Sequence, residues 1–304
     1  MQFPTINRWS VIPGLLMTLI WLHSAWAKVT SCQPGQWSLT FDDGPHPSIT
    51  PVILDSLKKA NVTATFFVLG EKVEKYPDML KKVHAAGHEI AVHTWSHPHL
   101  TSISAEEIRE EIRSTLDVVY ETIGVKPTLI RPPYGETNEM VESIMAEFGL
   151  EAITWNVDSN DWRYAETYND SPVAGEATKQ GMLKSLAGIN PTTNGVISLH
   201  HDIHQASAYV LGDIIPAIQA KGFKLSTVQE CIKGSTAPWP SANPISSTNG
   251  STSTSVETAT VPTLPSQSTP NSSTAELDIE YFKVVLNHML RQILCDFDLY
   301  HCFN

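Results

Sequence analysis

Five short segments of this 304-residue sequence carry residue types that can do chemistry together. Thr40-Phe41-Asp42-Asp43-Gly44-Pro45 sets two carboxylates side by side directly after an apolar run. Neighbouring side chains diverge, so one carboxylate can hold a metal ion while the other serves as a base; Asp-Asp-Gly-Pro is also ordinary turn chemistry. His93-Thr94-Trp95-Ser96-His97 places two imidazoles four residues apart, able to reach one ion. Pro98 disfavours a helix at His97, which puts the pair on a turn. One carboxylate with two imidazoles is the composition of a catalytic zinc site, with a position left open for water.

Arg131-Pro132-Pro133-Tyr134-Gly135 offers a cation that can hold a carboxylate ionised and oriented. Its two prolines stiffen the loop, so a following backbone N–H can serve as a preorganised oxyanion donor. Asp158-Ser159-Asn160-Asp161-Trp162 offers a carboxylate able to orient a histidine and an indole able to wall a small pocket. A helix-capping Asp and a half-buried Trp are the plainer reading of the same residues. In Leu199-His200-His201-Asp202, strand alternation leaves one imidazole on the face of Leu199, and that one is His201; His200 is then a packing residue. Each segment alone has a structural explanation. Together their residue types complement each other chemically, a coincidence five separate structural explanations do not account for.

The elements that must position these segments alternate. Strands are expected at 37–41, 64–69, 89–93, 128–131, 152–157, 195–200 and 223–225. Helices are expected at 51–60, with Val52, Ile53 and Leu57 on one face, at 71–86 ended by Gly87, and at 139–148 and 208–220. A capping box, Ser104-x-x-Glu107, starts a further helix that reaches Ile123 and closes at Gly124. Such alternation means a parallel sheet with helices outside it. About seven strand–helix repeats in one catalytic domain, residues 28–234, favour a distorted (β/α) barrel of the α/β class. The five segments then lie at the C-terminal ends of strands, where barrel enzymes keep their chemistry.

The flanks point to export. Arg8 precedes an apolar run over 11–22, followed by Ala25-Trp26-Ala27, so residues 1–27 read as a signal peptide cleaved after Ala27. The run is shorter than the roughly 20 residues that span a bilayer, so no transmembrane span is expected in the mature chain, a retained anchor being the alternative to cleavage. Residues 235–274 are rich in Ser and Thr, with Pro240, Pro244, Pro262, Pro265 and Pro270, and read as a linker or stalk. Residues 275–304 have a helical apolar period and two Cys, with too many charges for a lipid-anchor signal. Outside the cell the cysteines can pair. Cys32 with Cys231 would close the domain at its ends, leaving Cys295 with Cys302; four cysteines allow three pairings. Asn61, Asn169, Asn249 and Asn271 head glycosylation sequons. A net charge of -12 argues against nucleic acid or an anionic membrane as a partner.

In this order the five segments resemble the motifs of carbohydrate esterase family 4, the polysaccharide deacetylases with a NodB-homology domain. Thr40–Gly44 matches T-F-D-D-G, His93–His97 matches H-[ST]-x-x-H, Arg131–Tyr134 matches R-x-P-[YF], Asp158–Trp162 matches D-x-x-D-W and Leu199–His201 matches L-x-H. The resemblance covers about residues 32–231. It implies one divalent metal, zinc or else cobalt, on Asp43, His93 and His97, with Asp42 as base and Arg131 holding it. It further implies the Tyr134 N–H as oxyanion donor, His201 as catalytic acid tuned by Asp161, and Trp162 and Leu199 around the acetyl methyl. The signal peptide, sequons and Ser/Thr-rich stretch look like those of fungal chitin deacetylases. The resemblance therefore implies a secreted, monomeric glycoprotein at the cell wall, a hydrolase that releases acetate from chitin. Peptidoglycan GlcNAc and acetylxylan are alternative substrates within the family. An inactive chitin-binding wall protein is the reading from another class, and the intact catalytic set argues against it.

Overall fold

Alternation along the strands decides what the sheet places on each face. In β1, Gln36–Asp42, the side chains of Trp37, Leu39 and Phe41 join one buried apolar cluster, so Ser38, Thr40 and Asp42 take the opposite face. The same period continues in β2, Thr65–Val68, where Phe66 and Val68 join that outer cluster and Phe67 the inner one. In β3, Glu89–Val92, Ile90 faces out and Ala91 in; in β4, Leu129–Ile130, Leu129 faces in. The computed structural model describes residues 28–233. The signal-peptide, stalk and tail readings, with Cys295, Cys302, Asn249 and Asn271, lie outside the described residues.

Helices cover the outer face. β1 leads to α1, Thr50–Ala60, and β2 to α2, Gly70–Lys75, and α3, Pro77–Ala85. β3 leads to α4, Ala105–Ile123, and β4 to α5, Glu139–Glu147. Two short strands follow, β5, Glu151–Ala152, and β6, Val157–Asp158, then α6, Asp161–Tyr168, and α7, Pro172–Gly188. β7, Val196–His201, α8, Gln205–Ala220, β8, Lys224–Leu225, and α9, Val228–Lys233, complete the described chain. All strand pairs are parallel, in the order β5-β4-β3-β2-β1-β7-β6, with β8 beside the start of β1. The path is an incomplete (β/α) barrel of seven strands, open between β5 and β6. Cys32 and Cys231 are bridged, which ties the chain before β1 to α9.

Local chemistry explains where the elements begin and end. α4 starts on the expected capping box and stops at Gly124, whose φ of 71° is the left-handed conformation glycine tolerates. The single helix expected at 71–86 is two, because Pro77 excludes its predecessor from helical backbone: Tyr76 sits at φ -132°, ψ 53°. The strand expected at 152–157 is also two, β5 on one edge of the sheet and β6 on the other, and this break is where the barrel opens. Val52 is 49% exposed and leaves the buried face of α1 to Ile53 and Leu57. α6, α7 and α9 have no counterpart in the sequence reading. Asn61 and Asn169 cap α1 and α6 in left-handed conformation, and both are exposed. No helix among the described residues is long and apolar enough to cross a membrane.

Candidate active site

Strand parity brings the chemical residues to one place. Asp42, His93, Arg131, Asp158 and His201 all share the inward parity of Thr40, Ala91, Leu129 and Leu199, and each stands at or just past the C-terminal end of its strand. A cavity of about 410 Å³ is lined by Asp42, Asp43, His93, His97, Tyr134, Trp155, Asp158, Trp162, Leu199 and His201. Arg131 and Asp161 are fully buried behind this wall. His200, one residue away from His201, faces outward. It is fully buried, its ring lies 5.6 Å from that of Phe41, and neither ring nitrogen has a hydrogen-bond partner. Burial pushes its pKa down to about 4, which suits an uncharged packing residue.

Asp42 is held from behind. Arg131 Nη1 donates to its Oδ1 at 2.6 Å and to Thr40 Oγ1 at 2.8 Å, and Nη2 donates to the Thr154 carbonyl at 3.3 Å. The guanidinium lies 4.1 Å from the Phe67 ring centroid and 5.5 Å from that of Trp155. Stacking and hydrogen bonds together fix the cation. Burial pushes the Asp42 carboxyl up from its ordinary range, and Arg131 opposes the rise.

Asp43 turns the chain. Its φ of 72° is left-handed, so both adjacent carboxylates reach the cavity although strand geometry would send them to opposite faces. His93 Nδ1 lies 2.7 Å from the Arg131 carbonyl, which can only accept. Nδ1 therefore carries the proton, and Nε2 presents its lone pair towards Asp43. Burial pushes His93 down to about 3, so the ring is neutral. The loop to His97 is gripped by Glu111 of α4, which accepts from Trp95 N at 2.7 Å, Ser96 N at 2.8 Å and Ser96 Oγ at 2.7 Å.

These residues fit a metal ion. Asp43 Oδ1 is buried with no hydrogen-bond partner, 3.4 Å from His93 Nε2 and 3.7 Å from His97 Nε2. Those spacings are long for hydrogen bonds, while ligands about 2.1 Å from a tetrahedral ion lie roughly 3.4 Å apart. One donor atom from each of Asp43, His93 and His97 falls within 4.8 Å of the others.

Across the cavity stands an Asp–His pair. His201 Nδ1 donates to Asp161 Oδ1 at 2.8 Å, and Asp161 also accepts from the backbone N–H of His201 at 2.7 Å, from that of Trp162 at 2.8 Å and from the Ser207 hydroxyl. Burial would raise Asp161, but His201 and Ser207 hold it well below the ordinary carboxylate range. Burial would lower His201, but Asp161, with Asp43 and Asp42, pushes it up to about 10. Tyr134 is left-handed at φ 58°, and its ring lies 4.6 Å from that of His97 and stacks on His99 at 3.9 Å.

A family model for polysaccharide deacetylases matches residues 31–153. A chitin deacetylase of a Pestalotiopsis species is 33% identical over 216 residues, 69% of this chain and 68% of that protein. The chain belongs to the polysaccharide deacetylase family. The peptidoglycan-N-acetylglucosamine deacetylase PgdA of Listeria monocytogenes is 42% identical over 193 residues, 64% of this chain, and the chain spans 38% of that relative's length. The chitin deacetylase structure from Colletotrichum lindemuthianum superposes with a TM-score of 0.63 at 29% identity, over 68% of this chain and 92% of that one.

Within this polysaccharide deacetylase, Asp42, Asp43, His93, His97, Tyr134, Trp162, Leu199 and His201 line this one cavity, with Arg131 and Asp161 directly behind it; Cys32 and Cys231 are bridged elsewhere. Sequence reasoning missed Trp155, Phe67, Glu111 and Ser207, and it gave Thr40 of the first segment no role. These are ordinary in type and matter through contacts across 16 to 91 positions, which no local pattern announces. Asp158 and Asp202 were in view as motif residues but without a role.

Proposed function

We propose that this chain is a metal-dependent hydrolase that removes N-acetyl groups from the N-acetylglucosamine units of chitin outside the cell, giving chitosan and acetate. The observation that carries this reading is the arrangement of one cavity: a metal-fitting triad, with Asp42 on one side and His201, paired with Asp161, on the other. A divalent ion, zinc or cobalt, on Asp43, His93 and His97 supplies, when bound, a Lewis acid for the amide oxygen and a lowered pKa for water.

The chain's own residues do the rest. Asp42 is the base that takes the proton of the attacking water, and its raised pKa brings it closer to working pH. Arg131 keeps Asp42 ionised and fixed in direction. The backbone N–H of Tyr134, in its stiff left-handed turn, is a donor for the developing oxyanion. His201, kept charged by Asp161, gives its proton to the leaving amine nitrogen. Trp162 and Leu199 wall the acetyl methyl, which sets acyl size.

Chitin is favoured by the sequons and the Ser/Thr-rich stretch, which suit a secreted eukaryotic protein. Peptidoglycan GlcNAc is the second reading, on the 42% identity to the Listeria deacetylase. Acetate release by the zinc-loaded protein should be measured on chitin oligomers, peptidoglycan and acetylxylan. The highest kcat/KM is expected on chitin oligomers. A higher value on peptidoglycan would replace chitin with the second reading, and no release from any of the three would overturn the hydrolase.

A further inference from the structure

Asp202 closes the Leu199–Asp202 segment, yet the reaction above gives it nothing to do. It is 1% exposed. Its Oδ2 accepts from the Thr50 hydroxyl, and that hydroxyl in turn accepts from His46 N at 2.8 Å. Its own backbone N–H donates to the Asp42 carbonyl at 3.2 Å. Its Oδ1 meets no donor among the described residues. A carboxylate so deeply buried and only half satisfied is costly, which calls for a compensating role.

The carboxylate lies against Gly44. A Cβ on that glycine would fall 2.1 Å from Asp202 Oδ1 and 2.2 Å from Oδ2. From the other side, Leu69 N donates to the Gly44 carbonyl at 3.0 Å. Gly44, the residue immediately after Asp43, is therefore pinned between Asp202 and Leu69, the residue just past β2. Asp43 itself is left-handed, a conformation that costs a residue with a Cβ, though Asp less than most, and that its surroundings help to hold. That turn is what brings Asp43 round to His93 and His97.

We infer that Asp202, latched by Thr50 and packed on Gly44, is a positioning residue that holds Asp43 in the left-handed turn from which it reaches the metal. The inference rests on the metal-site reading of Asp43, His93 and His97. Its test is the zinc affinity of the full chain, measured by competition with a chromophoric chelator, with circular dichroism to follow folding. Asp202→Ala and Thr50→Val should each weaken zinc binding by about 10–100-fold, the range for groups that orient a ligand. Excess zinc should restore most of the deacetylation rate. Gly44→Ala should weaken zinc at least as much. The double variant Gly44→Ala/Asp202→Ala should be no worse than Asp202→Ala, because the clash is gone. If Asp202→Ala fails to fold, Thr50→Val, which keeps volume, decides alone. Wild-type zinc affinity in Thr50→Val and Asp202→Ala, or a double variant that loses the sum of both single effects, would overturn the positioning role. An Asp43→Ala control separates the two failures: if it too binds zinc as the wild type does, the metal-site reading is what falls.

Discussion

His200 and His201 are adjacent imidazoles with opposite surroundings, and strand parity is the cause. His201 points into the cavity onto Asp161, and His200 points out onto Phe41. His201→Ala should lower kcat by about 10²–10⁴-fold, the usual cost of losing a general acid, with metal content by elemental analysis unchanged. His200→Ala should lower the melting temperature and leave kcat near normal; the reverse pattern would contradict the assignment. The pH dependence has a definite sign. In the proposed reaction His201 acts in its protonated form, and Asp161 pushes its pKa up to about 10, so the rate should fall as pH rises towards that value. Asp161→Asn removes the charge that raises it, so the alkaline limb of the pH–rate profile should move to lower pH. Stability follows the same sign: a raised pKa contributes stability present in full below histidine's ordinary value of about 6.5 and lost as pH rises through about 10. At this scale the motif residues were legible, because Leu199 reports the face of His201. The packing of Asp202 on Gly44 was not, since it joins residues far apart in the chain.

Helix α4 shows how an element holds a loop, and with it the proposed ligand His97, that it does not itself carry. Its capping box fixes where the helix starts, and so where Glu111 falls, two turns in, beneath the 94–97 loop. Glu111→Ala should leave helix content by circular dichroism nearly intact while weakening zinc binding by about 10–100-fold; unchanged affinity would show that the loop holds itself. The box and the closing glycine of α4 are local signals, and they predicted the element closely. The break at Tyr76–Pro77 was equally local and was overlooked. The split of 152–157 was not local: the run reads as one strand, and only the pairing of its ends with β4 and β7 separates it. α7 escaped notice for another reason. Gly175, Gly181 and Gly188 lower its helix propensity and blur its apolar face, and it forms because it packs along α6 and α8.

The whole domain is an unclosed barrel whose two chain ends are stitched by Cys32–Cys231 across a separation of 199 residues. Chain entropy gives a loop of that length about 5 kcal/mol of stabilisation as an upper figure. The Cys32→Ser/Cys231→Ser protein should therefore melt well below the wild type, while its metal site, at the far ends of the strands, keeps its zinc affinity. An equal loss of zinc affinity would mean that the bridge shapes the site directly. Strand–helix alternation made the barrel legible from sequence, but not its opening, because closure depends on which edges find partners. The proposed reaction depends on a metal ion in that open barrel. It is tested most directly by acetate release from chitin oligomers by protein stripped with a chelator and verified metal-free by elemental analysis. Release should be abolished and should return when zinc is added in equimolar amount; an undiminished rate in the metal-free protein would mean that the reaction needs no metal.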